Sequence, residues 1–293
     1  MILLILFVFI LVISAVICHY SIDLSKYEIS SKKLPKEFDS FKIIHLSDLH
    51  SREIGENNIK LINKIKKQNP NVIIMTGDMI NGKYENILQM EFFLRELKKI
   101  CDIYYILGNR EFEYNRKLFD EFASMLKRNK VTLLTNDKCE IKINNEYINI
   151  YGINYCNRDV NEYYANRKNN YVPKKKYISR DEIIEHKLEE ILPKLDYKKY
   201  NVLLAHDPLQ FEQYSKHGFD LVLAGHVHGG IVRIPFIGGV LSPDVSLFPK
   251  YDKGVFNKEN ASMCVSRGLG YGTIPFRIFN NPEIVQITLK SEE

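Results

Sequence analysis

The stretch FKIIHLSDLH, residues 41–50, is a short apolar run that ends in an aspartate and a histidine. Four later segments repeat this design: VIIMTGD at 72–78, IYYILGN at 103–109, VLLAH at 202–206 and LVLAGHVHG at 221–229. Apolar runs of this length are typical of strands that are buried on both faces. Ligands of open α/β sheets bind beyond the carboxyl ends of the strands, so we expect the polar ends to line one site.

Amphipathic segments separate these strands. Ile59, Ile62 and Ile65 recur at helical spacing after the first run, and Asn69-Pro70 ends that helix. Further amphipathic stretches precede IYYIL and follow it, and the last strand is EIVQITL, residues 283–289. Strands that alternate with helices in this way predict an α/β domain with a largely buried sheet.

Two of the strand ends carry metal-binding residues at a spacing of two. Asp48 and His50 would project to one face if the backbone were extended. His226 and His228 repeat this spacing between Gly225 and Gly229, which suits metal binding better than core packing. Both pairs therefore predict metal ligands, and the second pair is the more specific signal.

The other strand ends are weaker signals when each is taken alone. Gly77-Asp78 and Gly108-Asn109 are typical of turns. A single histidine such as His206 is more often a packed core residue than a ligand. The order of all five elements, each after an apolar strand, is what argues for a shared site.

In this order D-x-H, G-D, G-N, H and G-H-x-H resemble the calcineurin-like metallophosphoesterases, from about Phe41 to the C-terminus. The later stretches GHVHGGIVRIPFIGG, VSRGLG and PEIVQITL are similar to the YkuE/YaeI-type branch, whose members are membrane-associated or exported. The resemblance implies a four-layer α/β/β/α sandwich of two mixed sheets. It also implies two divalent metal ions, with Asp48, His50 and His228 on one ion, Asn109, His206 and His226 on the other, and Asp78 bridging them.

The implied chemistry is hydrolysis of a phosphate ester or anhydride. Two divalent ions outweigh the charge of Asp48 and Asp78, so the site would attract an anionic phosphate. The same positive surplus lowers the pKa of a bridging water, and the resulting hydroxide would attack the phosphorus in line. Histidine-rich ligation favours manganese, iron or zinc over magnesium or calcium. The chain is thus expected to be a metal-dependent phosphodiesterase or phosphatase.

One position departs from the family pattern. Relatives usually read G-N-H followed by an acid, and that histidine is thought to protonate the leaving oxygen, whereas this chain has Arg110 followed by Glu111. Arginine stays protonated and is a poor general acid, but it can neutralise charge on the phosphate. Arg110 and Asp78 are therefore the predicted catalytic residues. The arginine also raises the alternative of a metal-binding pseudoenzyme that holds phosphorylated ligands.

The first 18 residues form an unbroken uncharged run, MILLILFVFILVISAVIC. About 20 apolar residues cross the hydrocarbon core as a helix. A secretory signal peptide competes with this interpretation, but a positive n-region and an A-x-A cleavage pattern are missing. We predict a transmembrane anchor at 1–20, a polar linker at 21–40 and a metallophosphoesterase domain at 41–293.

Two observations disagree on the side of the membrane. Lys26, Lys32 and Lys33 flank the run and favour a cytoplasmic domain, whereas the exported relatives favour the extracytoplasmic side. The stretch GGIVRIPFIGG after His228 would either receive an acyl chain, with Arg233 on its phosphate, or form a packed loop. With the anchor, it favours a phosphorylated lipid substrate; the alternative is a phosphodiesterase or nucleotidase for a soluble substrate.

The remaining features bear less on function. Residues 154–180 are rich in tyrosine, asparagine and basic residues and predict an inserted loop, either solvated or facing anionic head groups. The net charge of +5 is mild, and no nucleic-acid partner is expected. Asp207, Glu111 and Asn81 are predicted to hold the metal ligands in position through hydrogen bonds.

Overall fold

The computed structural model describes residues 1–155, 180–243 and 246–292. The helices are α1 (Ile2–Tyr20), α2 (Ile59–Lys66), α3 (Tyr84–Lys98), α4 (Asn109–Phe112), α5 (Arg116–Arg128), α6 (Arg180–Ile191) and α7 (Phe211–Lys216). The strands are β1 (Asp23–Ser31), β2 (Lys42–Leu46), β3 (Val72–Met75), β4 (Asp102–Tyr105), β5 (Thr132–Leu133), β6 (Asp137–Ile143), β7 (Glu146–Gly152), β8 (Asn201–Leu204), β9 (Leu221–Ala224), β10 (Arg233–Ile234), β11 (Gly238–Gly239), β12 (Gly254–Lys258), β13 (Ala261–Val265) and β14 (Glu283–Ser291).

Within the described ranges, most strands belong to two six-stranded sheets. The first has the order β1-β14-β2-β3-β4-β5, in which β2 to β5 are parallel and β14 runs antiparallel to β2. The second has the order β12-β13-β9-β8-β7-β6, in which β7, β8, β9 and β13 are parallel and the two edge strands are antiparallel. Both sheets are mixed, as predicted.

The strands are apolar throughout because each sheet is covered on both faces. Ile43 and Ile74 face the second sheet and pack with Val202 and Leu223 in a core between the two sheets. Their neighbours on the opposite face pack against α2, α3 and α5, whereas α6 and α7 cover the outer face of the second sheet. The predicted four-layer α/β/β/α sandwich is confirmed.

Residues 21–40 differ from the expected linker. Asp23–Ser31 form the edge strand β1, which pairs in parallel with β14 along its whole length, from Asp23↔Glu283 to Ser31↔Ser291. Ile29 of this strand and Phe38 after it are buried in the core between the sheets. The segment is polar because an edge strand leaves much of its surface in water. The predicted loop at 154–180 falls almost wholly outside the described residues.

Helix α1 is long and apolar enough to cross a membrane, a property that secretory signal sequences share. Nearly all its side chains are exposed, and the buried exceptions are Ser14 and Cys18. These two residues lie one helical turn apart, so they mark a single face that contacts the rest of the protein.

Candidate metal centre

The carboxyl ends of five parallel strands, β2, β3 and β4 of one sheet and β8 and β9 of the other, meet at one edge of the sandwich. The side chains that follow them converge there and are buried, apart from Asn109, which is partly exposed. The predicted ligands brought together are Asp48, His50, Asp78, Asn109, His206, His226 and His228.

One group of ligand atoms forms around His228. Its Nε2 lies 3.0 Å from His50 Nε2 and 3.5 Å from Asp48 Oδ1. These three residues place one ligand atom each within 4.8 Å of one another. They are the set that the resemblance assigns to one ion.

A second group forms around His206. Its Nε2 lies 3.2 Å from both Asn109 Oδ1 and His226 Nδ1. Asp78 Oδ2 stands between the groups, 3.6 Å from His206 Nε2 and 3.8 Å from His50 Nε2. This position suits a carboxylate that reaches both groups, and the division of ligands between two ions stays a prediction.

The donor set fits divalent cations. Asp48 Oδ1 is fully buried and has no hydrogen-bond partner, an arrangement that is costly unless a cation compensates it. Around it, imidazole nitrogens face each other at hydrogen-bond distance. Nitrogen and carboxylate donors of this kind suit manganese, iron or zinc. Within the described chain, Asp48, His50, Asp78, His206 and His228 thus form a candidate divalent metal site.

The backbone at this edge is strained. Asp48, His50, Asp78, His226 and His228 all have φ between 49° and 67°. Left-handed conformations are uncommon for residues other than glycine and often lie at functional sites. The expectation that Asp48 and His50 converge through extended backbone was therefore wrong: tight turns directly after the strand aim both side chains at the site.

The close approach of two strand ends requires glycine at position 108. A Cβ atom there would lie 2.3 Å from Asp78 Oδ1 and 2.9 Å from the ring of His206. Any larger residue would displace both side chains. The glycine before Asn109 is thus part of the site's geometry and not only a turn signal.

Glu111 braces the site from beneath and is completely buried. Its carboxylate accepts hydrogen bonds from the backbone N–H groups of Asp78, Met79 and Gly108 at 2.9–3.1 Å. The Tyr105 hydroxyl donates a fourth bond at 2.6 Å. Burial and the charge of Asp78 raise the pKa of Glu111 to about 7. This carboxylate ties the turn of Asp78 to the turn of Asn109.

The other predicted supporting residues differ in their roles. Asn81 donates its side-chain N–H to the carbonyl oxygen of His50 at 2.9 Å, as expected of a residue that supports a ligand. Asp207 instead accepts from the backbone N–H of Leu209 and caps a short 3-10 helix at Pro208–Gln210. It therefore stabilises the turn after His206.

Two of the histidines illustrate how backbone contacts and charge act on the rings of the site. His206 Nδ1 lies 2.5 Å from the carbonyl oxygen of Thr76, which orients the ring with Nε2 toward the site. Burial alone lowers the pKa of His206, but the carboxylates of Asp78 and Asp48 outweigh it and raise the pKa to about 10. Burial, assisted by His50 and Arg277, holds the pKa of His228 well below its usual value.

Arg110 lies at the rim of the site. Its backbone N–H donates to Asp78 Oδ1 at 2.8 Å. Its guanidinium pairs with Glu113 at 3.0 Å and donates to Thr273 Oγ1 at 3.2 Å. The side chain is thus partly exposed, and the backbone of this residue contacts a predicted ligand.

Arg233 is not placed as such a contact. It pairs with Asp252 at 2.7 Å and donates to the carbonyl oxygen of Gly229 at 2.7 Å. The acyl-and-phosphate interpretation of this segment loses its arginine, since that guanidinium is paired with Asp252 and both side chains are largely buried.

Three residues near the ligands carry no sequence signal. Arg277 is buried, with Nη2 at 3.2 Å from His228 Nδ1, and Asn280 donates to the carbonyl oxygen of His228 at 2.7 Å. The Tyr155 hydroxyl lies 3.4 Å from His226 Nε2. Arg277 and Asn280 follow the last glycine-rich turn, where no regular spacing links them to the site, and Tyr155 precedes the basic stretch.

Comparison with known proteins decides the family. The family model for calcineurin-like phosphoesterases matches residues 41–230, which contain all seven predicted ligands. The chain belongs to this family. It is accordingly a metal-dependent phosphoesterase with a candidate divalent metal site.

Relatives of this phosphoesterase cover nearly its whole length. An uncharacterized metallophosphoesterase of Aquifex aeolicus is 27% identical over 93% of this chain and 94% of its own. The uncharacterized metallophosphoesterase YkuE of Bacillus subtilis is 25% identical over 93% of this chain and 87% of its own. Among solved structures, the NAD nucleotidase of Haemophilus influenzae has a TM-score of 0.50 at 15% identity, with 78% of this chain and 50% of that one aligned. That likeness shows the fold alone.

Proposed function

We propose that this phosphoesterase is anchored in a membrane by α1 and hydrolyses a lipid-linked phosphate ester or anhydride at a dinuclear metal site. Residues 1–20 would be the anchor, and the domain would begin with β1 at Asp23, which pairs with β14. The resemblance favours the extracytoplasmic side of the membrane for the domain. The alternative is a phosphodiesterase or nucleotidase for soluble substrates, in which α1 only holds the enzyme at the membrane.

The observation that carries the proposal is the short path from α1 to the metal centre. His19 Nδ1, in the last turn of α1, lies 3.0 Å from the Tyr271 hydroxyl. The next residue is Gly272, at which a Cβ atom would lie 3.6 Å from His228 Nε2. The last turn of a membrane helix therefore touches the loop that borders the ligands, where a phosphate at the membrane surface is within reach.

Each predicted ligand has a role in this proposal. Asp48, His50, Asp78, Asn109, His206, His226 and His228 would hold two divalent ions, of which manganese, iron and zinc are the candidates. The ions would supply Lewis acidity and activate water. Arg110 would pair with a phosphate oxygen and neutralise charge as it develops. Glu111 and Asn81 would keep the turns of the ligands in position.

The test compares two substrates of matched chemistry. The full chain, stripped of metal and reconstituted into phosphatidylcholine vesicles with Mn²⁺, is given a p-nitrophenyl phosphodiester that carries either an acyl-chain alcohol or a methyl group. Faster release of p-nitrophenol from the acyl-chain diester, at equal bulk concentration, supports the lipid-linked substrate. The same ratio measured in detergent micelles shows whether the bilayer is needed.

Two outcomes would contradict parts of the proposal. Equal rates for the two diesters would favour a soluble substrate and leave α1 with a role in location only. Binding of metal without turnover of either diester would favour the pseudoenzyme alternative for the physiological role.

Arg110→His is expected to speed the hydrolysis of simple alkyl phosphate esters by about 10-fold or more, because a histidine can protonate a poor leaving group and general acids contribute roughly 10²–10⁴-fold. Esters of p-nitrophenol should gain little, since their leaving group needs no proton. The measurement is kcat for both ester types in the wild type and the variant.

The matched control is Arg110→Gln, which removes the same charge without supplying an acid. It should not accelerate alkyl esters. If both variants hydrolyse alkyl esters at the same rate, the hypothesis is wrong that this position has lost a general acid and that Arg110 only neutralises charge on the phosphate.

A further inference from the structure

A small hairpin projects from the segment that follows His228. Strands β10 and β11 pair through Arg233↔Gly239 and Ile234↔Gly238, and residues 235–237 form its tip. Phe236 at the tip is completely exposed and has a φ of 68°. A bulky side chain at positive φ is strained, and here it gains no burial within the protein in return. Strain at an exposed apolar tip points to a role outside the folded chain.

The tip belongs to a larger apolar surface, here called the hairpin surface. Its members are large hydrophobic side chains that are between 42% and 109% exposed: Ile234, Phe236, Ile237, Leu247, Phe248 and Phe279. The hairpin and Phe279 line one shallow depression together with Asp252 and Lys253. Phe248 adjoins the hairpin because its N–H donates to the carbonyl oxygen of Val240 at 2.9 Å. Contiguous exposed apolar surface of this kind marks an interaction site.

The hairpin surface is joined to α1 by hydrogen bonds. The backbone N–H of Phe279 donates to Ser14 Oγ at 2.7 Å, and that of Asn280 contacts Cys18 Sγ at 3.4 Å. Arg233 of the hairpin donates its backbone N–H to the carbonyl oxygen of Ile278 at 2.9 Å. The helix, the loop at Phe279 and the hairpin are therefore neighbours in one connected unit.

The contact between Ser14 and Phe279 lies well before the C-terminal end of α1. Ser14 precedes Tyr20 by six residues, which corresponds to about 9 Å of helix. At the level of Ser14, the side chains of Ile13, Val16 and Ile17 on the other faces are 41–51% exposed. They need apolar surroundings at this level. If lipid surrounds α1 here, the loop at Phe279 and the neighbouring hairpin lie at the same depth.

Polar groups mark the level at which α1 leaves the apolar phase. Arg52 and Lys60 donate to the carbonyl oxygens of His19 and Tyr20, and Lys64 donates to that of Ile22. Cations at a helix C-terminus complement the helix dipole and attract anionic head groups. Tyr20 is exposed at this level, and tyrosine is enriched at membrane–water interfaces. The head groups thus lie near Tyr20, and the contact at Ser14 lies deeper in the bilayer.

We propose that the hairpin surface inserts into the lipid bilayer beside α1, so that the domain is held by two apolar elements with the metal centre at the level of the head groups. The occupant of the surface is the acyl region of the bilayer. The proposal rests on the membrane anchoring by α1 and adds a second point of insertion. Two points of attachment restrict rotation about α1, which would keep the centre turned toward the membrane.

The absence of tryptophan from the sequence permits a direct test. Phe236→Trp places a single tryptophan at the tip, where the full exposure of the ring leaves room for the larger side chain. The full-length variant is reconstituted into vesicles of phosphatidylcholine with or without bromines on the acyl chains. Insertion predicts loss of most of the tryptophan fluorescence in brominated vesicles, with stronger quenching by bromines near the head groups than by deeper ones.

Two further single-tryptophan variants separate the possible outcomes. Phe7→Trp reports on α1 alone and should be quenched by deep bromines. Tyr197→Trp lies before β8, at the opposite edge of the sandwich, and should not be quenched. Quenching at position 7 without quenching at position 236 would overturn the hairpin insertion and leave the anchor intact. Absence of quenching at both positions would overturn the anchoring itself.

Discussion

Asp78→Ala is expected to reduce metal-dependent hydrolysis by roughly 1000-fold or more, because bound metal contributes several kcal/mol to charge stabilisation in the transition state. Asp78 Oδ2 lies within 4 Å of a histidine from each ligand group, at 3.6 Å from His206 and 3.8 Å from His50. Alanine removes the carboxylate that reaches both groups. The metal content after reconstitution should fall together with kcat.

The assay uses bis-p-nitrophenyl phosphate with Mn²⁺ added to protein prepared without metal. Asp102→Ala is the control: Asp102 is an exposed aspartate at the first position of β4, at the opposite end of that strand from Asn109. It should keep the wild-type rate and metal content. An Asp78→Ala protein that hydrolyses the diester at the wild-type rate would refute the central role of this carboxylate.

Glu111→Ala is expected to lower the free energy of unfolding by about 4 kcal/mol or more, since each buried donor left without a partner costs about 1–3 kcal/mol. Four donors lose their acceptor: the N–H groups of Asp78, Met79 and Gly108 and the hydroxyl of Tyr105. The metal affinity should also fall by about 10–100-fold, the usual effect of removing a group that supports ligands.

The free energy is measured by urea unfolding of metal-free protein, and the affinity by titration with Mn²⁺. Glu113→Ala is the matched control, because Glu113 is an exposed acid two residues away that pairs with Arg110 at the surface. Its effect on stability should stay within about 1 kcal/mol, as for other exposed ion pairs. If Glu111→Ala unfolds at the wild-type urea concentration and binds metal as tightly, the bracing role is wrong.

The central strands could be predicted because their burial on both faces produces a recognisable apolar pattern in the sequence. Strands β2, β3, β8 and β9 are covered on both faces, so each is mostly apolar, without alternation of polar and apolar residues. The edge strand β1 has no such pattern: in its sequence, DLSKYEISS, only Ile29 is buried. Its pairing depends on β14, which is more than 250 residues away along the chain.

The same contrast holds at the metal centre. The seven predicted ligands could be named because metal-binding side chains follow apolar strands in a recognisable order. Arg277 and Asn280 could not be named, because their contacts with His228 depend on the path of the chain after β13. The left-handed turns at Asp48 and His50 were also missed, since aspartate and histidine do not by themselves require positive φ.

The sequence by itself determined the layered α/β architecture, the family and the residue types of the candidate metal site, because burial and ligand chemistry select residue types position by position. Only the tertiary structure decided that β1 completes the first sheet, that Glu111 ties two turns together, and that α1 packs on the loop bordering His228. These features arise from contacts between segments distant in sequence. Their free energy depends on the geometry of both partners and so leaves no local pattern in either one.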